Sequence, residues 1–76
     1  MDVTITDTNG LTLAKLAGRL DTANVNQVEA TFTDGVVPKG QNTLVDLSEV
    51  SFIASLGIRM LLTAARGLGR QGARFG

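Results

Sequence analysis

Ser55 is the residue whose type and position offer this chain its clearest chemistry. It follows an apolar segment and a short polar run, and an apolar repeat of helical spacing begins just after it. This pattern predicts that Ser55 lies at the N-terminus of a helix. A hydroxyl there can cap the helix by accepting a hydrogen bond from a free backbone N–H, which is the commoner role. It can also carry a phosphate, because the N–H groups and the helix dipole both favour negative charge.

Three carboxylates are candidates for acid–base chemistry beside this hydroxyl. Asp21, Asp46 and Glu49 are predicted at strand ends or in loops, and strand ends and helix starts meet at one edge of an α/β sheet. They could therefore gather near Ser55, but the simpler interpretation is that Asp21 caps a helix and Asp46 satisfies a turn. The chain has no His, so a serine and carboxylates without a base make no nucleophilic triad. We expect no enzyme, no cofactor and no metal site.

A β-hairpin is predicted at the start of the chain. Apolar and polar residues alternate over 3–6, which is typical of a half-buried strand. Asn9-Gly10 predicts a hairpin turn, because both positions tolerate a positive φ. A second strand follows, with Leu11 and Leu13 among its apolar positions.

A first helix and a third strand should come next. Asp21 or Thr22 can cap the helix, and Asp34-Gly35 with Pro38-Lys39-Gly40 is expected to end it and form a loop. Its apolar positions at helical spacing are Val25, Val28 and Phe32. The third strand, Thr43 to Leu47, lacks alternation, which suits a strand buried on both faces.

The second helix, which begins near Ser55, is predicted to be amphipathic. Its apolar stripe comprises Ile58, Leu61, Leu62, Ala65 and Leu68. Arg59, Thr63, Arg66 and Arg70 are expected to lie largely opposite. The simplest interpretation is a solvated face whose cations complement the C-terminal end of the helix dipole. A phosphate-binding face is the alternative.

The element order defines the fold class. β-β-α-β-α, with a further strand starting near Phe75, predicts an α/β sandwich with a small mixed sheet and helices on one face. At 76 residues this is one domain. Seven basic and seven acidic residues give a net charge of zero, so the chain has no overall positive potential to attract nucleic acid. With no Cys, no membrane span and no signal peptide, we expect a soluble cytoplasmic domain.

Two segments of the chain resemble the signature of the STAS domain family. The first begins Asp46-Leu47-Ser48 and continues as Phe52-Ile53-Ala54-Ser55-Leu56-Gly57-Ile58. It resembles the family's Asp-Leu-Ser after a hydrophobic strand, followed by Asp-Ser-Ser-Gly at a helix start. The second, Leu16-Ala17-Gly18-Arg19-Leu20-Asp21, resembles the family's Gly-x-Leu-Asp at the end of a strand. Ala54 and Leu56 stand in place of the family's Asp and second Ser.

The resemblance implies a protein-interaction switch of the anti-sigma-factor antagonist type. In that branch the first Ser of Asp-Ser-Ser-Gly is phosphorylated by a partner that is both an anti-sigma factor and a serine kinase, and this position falls on Ser55. The implied switch region comprises Asp21, Asp46, Ser55, Leu56, Gly57 and Arg59. Two alternatives stay open: a constitutive STAS adaptor subunit of a transport complex, and a module that binds an anion or nucleotide at the helix N-terminus.

The resemblance also bears on the extent of the domain. A single STAS-like domain over 1–76 would lack the family's usual C-terminal strand and helix. An open sheet edge would then remain, and such edges tend to pair with another chain. We therefore expect a homodimer formed through a sheet edge or an exchanged element.

Overall fold

The computed structural model describes residues 1–76, which form three strands and two helices in the order β-β-α-β-α, as predicted. The elements are β1 (Asp2–Thr8), β2 (Leu11–Leu20), α1 (Thr22–Val36), β3 (Asn42–Ile53) and α2 (Ser55–Gly69). Neither helix combines the length and the hydropathy needed to span a membrane.

The sheet is small and mixed, with β2 in the centre. β1 and β2 are antiparallel and are joined by the predicted turn, in which Asn9 and Gly10 have φ values of 51° and 80°. β2 and β3 are parallel, and α1 makes the crossover between them. Phe75 forms a parallel bridge with Thr43 of β3, so the predicted start of a further strand is confirmed.

The core lies between one face of the sheet and the two helices. Buried and exposed side chains alternate along β2: Ala14 and Leu16 are fully buried, whereas Leu11 and Leu13 are exposed on the opposite face. The core residues are Ala14, Leu16, Leu20, Val25, Phe32, Val36, Met60, Ala64 and Leu68. Both helices therefore cover the same face, as the sequence predicts.

One predicted boundary is wrong. β3 does not end at Leu47 but continues to Ile53, and its register with β2 is irregular at two places along its polar middle. The predicted end of α1 is confirmed, because the helix stops at Val36, between Asp34-Gly35 and Pro38-Lys39-Gly40. Gly35 also lies close to β1, since a Cβ there would be 2.5 Å from Cδ1 of Ile5.

The predicted apolar stripe of α2 is also partly wrong. Ile58 and Leu62 are 47% and 51% exposed, although both were expected in the core. The buried positions of α2 are Gly57, Met60, Ala64 and Leu68. This set also has helical spacing, so the sequence contains two overlapping stripes, and the helix turns the one that begins with glycine toward the sheet.

Candidate functional site

The two helices begin side by side at one edge of the sheet. Leu20 and Ile53, the last residues of β2 and β3, are paired in the parallel register. The next residue of each strand, Asp21 or Ala54, turns the chain into a helix. The backbone N–H of Ala54 donates to the carbonyl of Leu20 at 2.9 Å, which ties the two turns together. The predicted meeting of strand ends and helix starts is therefore confirmed.

Ser55 is the first residue of α2 and is exposed, as predicted. The capping role considered for it is wrong, because the N-cap is Ala54, with φ −86° and ψ 164° and no side-chain hydrogen bond. The carbonyl of Ala54 accepts from the N–H groups of Gly57 and Ile58 at 2.9 and 3.1 Å. The Ser55 hydroxyl has no capping function and is accessible from solvent.

Asp21 caps α1, as the simpler interpretation predicted. Its carboxylate accepts from the backbone N–H of Asn24 at 2.9 Å. Its other oxygen lies 3.7 Å from Nε of Arg19, and the Asn24 amide donates to the Arg19 carbonyl at 2.7 Å. Asp21 therefore lies at the same sheet edge as Ser55, but its carboxylate is already engaged in holding the turn.

Asp46 does not join this edge. Because β3 continues to Ile53, Asp46 lies in the middle of the strand, and roughly 23 Å of strand separate it from Ile53, where β3 ends. Hydrogen bonds from Ser48, from its side chain and then its backbone, hold the pKa of Asp46 below its usual value. Glu49 pairs with Lys15 at 3.1 Å on the sheet. The possible gathering of carboxylates at Ser55 therefore does not occur for Asp46 and Glu49. Asp46 instead accepts a local bond from the backbone N–H of Ser48 at 2.9 Å, as the simpler interpretation held, but within a strand and not in a turn.

Gly57 sets how closely α2 approaches the sheet. A Cβ at this position would lie 2.8 Å from Cγ of Leu20 and 3.2 Å from Cγ1 of Ile53. Real Cβ atoms do not occur at the first of these distances, so only glycine lets the first turn of α2 rest on the strand ends. This contact fixes the position of Ser55 two residues earlier.

An open depression of about 490 Å³ lies where the helices begin. It is lined by Thr22, Ala54, Ser55, Leu56 and Arg59. Three predicted site residues, Ser55, Leu56 and Arg59, are therefore brought together. Thr22 was missed as a site residue. It follows the Asp21 cap, and the parallel crossover brings the start of α1 beside the start of α2, so the sequence could have predicted its position. Arg59 is exposed and follows Ser55 by one helical turn, the spacing at which side chains on a helix meet.

The site belongs to a small α/β domain. An exposed serine without a hydrogen-bond partner lies at a helix start, next to a second helix start and an arginine. No group of three or more His, Cys, Asp or Glu side chains is placed to hold a metal ion.

The chain belongs to the STAS domain family, whose model matches residues 2–75. It is 28% identical over 74 residues to the anti-sigma-F factor antagonist RsfB of Mycobacterium tuberculosis, a match covering 97% of this chain and 60% of RsfB. The crystal structure of an anti-sigma factor antagonist from Mycobacterium paratuberculosis superposes with a TM-score of 0.84 at 25% identity, over 99% of this chain and 63% of that one.

SpoIIAA, an anti-sigma factor antagonist of known structure, has the same fold. Its unphosphorylated form superposes with a TM-score of 0.77 at 21% identity, covering 97% of this chain and 69% of SpoIIAA. Its phosphorylated form gives a TM-score of 0.75. The present chain spans about 60% of the length of the curated relatives it matches.

Proposed function

We propose that this chain is an anti-sigma factor antagonist, a non-enzymatic switch that binds an anti-sigma factor with serine kinase activity. The observation that carries the proposal is the exposed Ser55 at the first residue of α2, with Ala54 serving as the N-cap. The similarity to RsfB, which is named an anti-sigma-F factor antagonist, supports the same partner class.

The proposed regulation is phosphorylation of Ser55. The partner transfers the γ-phosphoryl group of ATP to Oγ of Ser55: a P–O bond to serine forms, the bond to ADP breaks, and the hydroxyl proton leaves to a base of the kinase. The product carries about −1.5 to −2 charges at pH 7. An uncharged helix start can be desolvated against a partner, whereas a dianion resists desolvation, so phosphorylation weakens the complex.

The main alternative function is a constitutive adaptor in a transport complex. Ala54 supports it, because it stands where the resemblance expects an acidic residue beside the phosphorylated serine. In that case Ser55 is an ordinary surface residue of α2 and is not modified.

Incubation with ATP and the organism's purified kinase-type anti-sigma factors separates these functions. Mass spectrometry should show one phosphate, located on Ser55 by fragmentation. Ser55→Ala should abolish the modification, whereas Ser51→Ala, which removes an exposed hydroxyl of β3, should leave it intact. An unmodified wild type with every kinase, or a phosphate on another residue, would contradict the proposed regulation.

We also propose that the 76-residue polypeptide self-associates through the outer edge of β3. Thr43 and Val45 use this edge to bond the backbone of residues 74–76, and no strand pairs with the rest of it. Unpaired edges favour pairing with another chain, and an edge lysine opposes it. Sedimentation across a concentration series should show a dimer that Leu47→Lys reduces. A single monomeric wild-type species at high concentration would rule this association out.

A further inference from the structure

We propose that the solvent face of α2 binds a protein surface in which an apolar groove is bordered by carboxylates. This α2 docking face consists of Ser55, Ile58, Arg59, Leu62 and Arg66. The inference rests on the proposed function and describes the chemistry of the partner that this function requires.

The apolar part of the α2 docking face is formed by Ile58 and Leu62. They lie one turn apart and are 47% and 51% exposed, while Met60, Ala64 and Leu68 on the opposite side of the helix are buried in the core. The core therefore makes little use of these two side chains. Two neighbouring aliphatic side chains on an otherwise polar helix face are suited to fill an apolar groove on another protein.

The charged part of the face comes from cations that lack partners within the chain. The three ion pairs of the protein use Lys15, Arg19 and Lys39. The remaining four cations, all arginines, form no ion pair and lie on α2 or just after it: Arg59, Arg66, Arg70 and Arg74. Residues 54–76 contain no acidic residue, so all seven carboxylates lie in residues 1–53. The last third of a neutral chain is thus strongly cationic.

Arginine on this face points to carboxylates on the partner. The guanidinium group is planar, binds carboxylates through two parallel hydrogen bonds, and is enriched in protein interfaces. Arg59 and Arg66 flank Leu62 along the helix, so the carboxylates should border the groove that receives Leu62.

A protein surface fits these observations better than a membrane or a nucleic acid does. Helices that lie in a membrane interface bury a broad apolar face with large aliphatic and aromatic residues, but here most of the apolar side of α2 is buried in the core. α2 also has no aromatic residue on which a base could stack.

The same face explains how a phosphate would act. Ser55, Arg59, Leu62 and Arg66 are spaced by four, three and four residues, so they share one side of the helix. A phosphate on Ser55 precedes Arg59 by one turn, which is the favourable order for an anion–cation pair on a helix. It would occupy one cation of the docking face and repel the partner's carboxylates.

The test is a binding measurement with a kinase-type anti-sigma factor, using matched control variants. Arg66→Glu should raise the Kd at least tenfold, because it places like charges opposite each other. Arg74→Glu, which reverses an unpaired arginine outside the face, should change it less than about twofold. Leu62→Ala should weaken binding roughly tenfold, whereas Leu44→Ala, on the uncovered face of the sheet and 50% exposed, should not.

Salt and lipid controls complete the experiment. Raising NaCl from about 50 to 500 mM should weaken wild-type binding and leave Arg66→Glu nearly unchanged. If the kinase binds but neither salt nor Arg66→Glu alters the Kd, the inference is overturned and the proposed function stands. If no kinase binds the wild type, the proposed function fails and the partner inferred here fails with it. Binding to phosphatidylglycerol–phosphatidylcholine vesicles that is lost in Arg66→Glu, with kinase binding unchanged, would assign the face to a membrane instead.

Discussion

Ala54 has the extended backbone of an N-cap, but its methyl group offers no oxygen to the free N–H groups of α2. Ser55 has the oxygen but is already inside the helix. In many helices a single N-cap residue supplies both the extended backbone and the capping oxygen. Here they are divided between neighbours, so we expect the serine to be dispensable for folding.

This division predicts opposite effects of two neighbouring substitutions. Ala54→Asp should raise the free energy of unfolding by about 1 kcal/mol, because it supplies a capping carboxylate at the positive end of the helix dipole. Ser55→Ala should change it by less than about 0.5 kcal/mol, since it removes an exposed hydroxyl without a capping role. Urea titrations of both variants provide the comparison. A clear loss of stability in Ser55→Ala would mean that the hydroxyl supports the helix after all.

Asp7 gives the chain a pH-dependent contact at the end of β1. A hydrogen bond from Lys39, at 2.8 Å, is the main cause that lowers the pKa of Asp7 from its ordinary value of 3.8, and Thr12 adds a weaker bond. A carboxyl with a lower pKa in the folded state stabilises the fold above its unfolded-state pKa. This contribution is lost as the pH falls through the folded-state value.

Thermal unfolding should therefore show the contact as a decline in Tm below about pH 4. Asp7→Asn should reduce the steepness of this decline, and Lys39→Gln, which removes the partner, should do the same. Asp46, whose pKa is also lowered, should sustain part of the decline in both variants. An unchanged slope in Asp7→Asn would show that the ion pair does not form in solution.

The geometry of the site depends on how α2 packs against the ends of β2 and β3. The sequence predicts an amphipathic helix after Ser55, but it contains two overlapping apolar stripes, and periodicity alone cannot choose between them. The contact of Gly57 with Leu20 and Ile53 decides the orientation, because it lets the stripe with the smallest leading residue pack closest. The exposed positions of Ile58 and Leu62 could not be predicted for this reason.

Gly57→Ala tests this explanation. The new methyl group would overlap Leu20, so we expect a loss of roughly 1 to 3 kcal/mol in the free energy of unfolding, although alanine is the better helix former. Gly69→Ala is the matched control, since nothing lies within 4 Å of its Cβ and the helical propensity gain should show. Denaturant unfolding of both variants is sufficient. Equal stabilisation by the two alanines would refute the packing role of Gly57.

For the domain as a whole, the sequence predicts the element order, the Asn9-Gly10 turn and the placement of both helices on one face of the sheet. These follow from local patterns that the tertiary structure preserves. The length of β3 was not predictable in this way. Its polar residues lie on an uncovered sheet face, and a run of such residues in a sequence is typical of a turn. That error misplaced Asp46 at the site, since a strand ending at Leu47 would have brought it close to Ser55.

The proposed control of anti-sigma factor binding by Ser55 can be measured by calorimetric titration with a kinase-type anti-sigma factor. Ser55→Ala should bind like the unphosphorylated wild type. Ser55→Asp should bind several-fold more weakly, and the phosphorylated chain more weakly still, because phosphate carries more charge than a carboxylate. Circular dichroism should show both variants folded, since aspartate is favourable at a helix start. Equal affinities of the wild type, Ser55→Asp and the phosphorylated chain would contradict this control by Ser55.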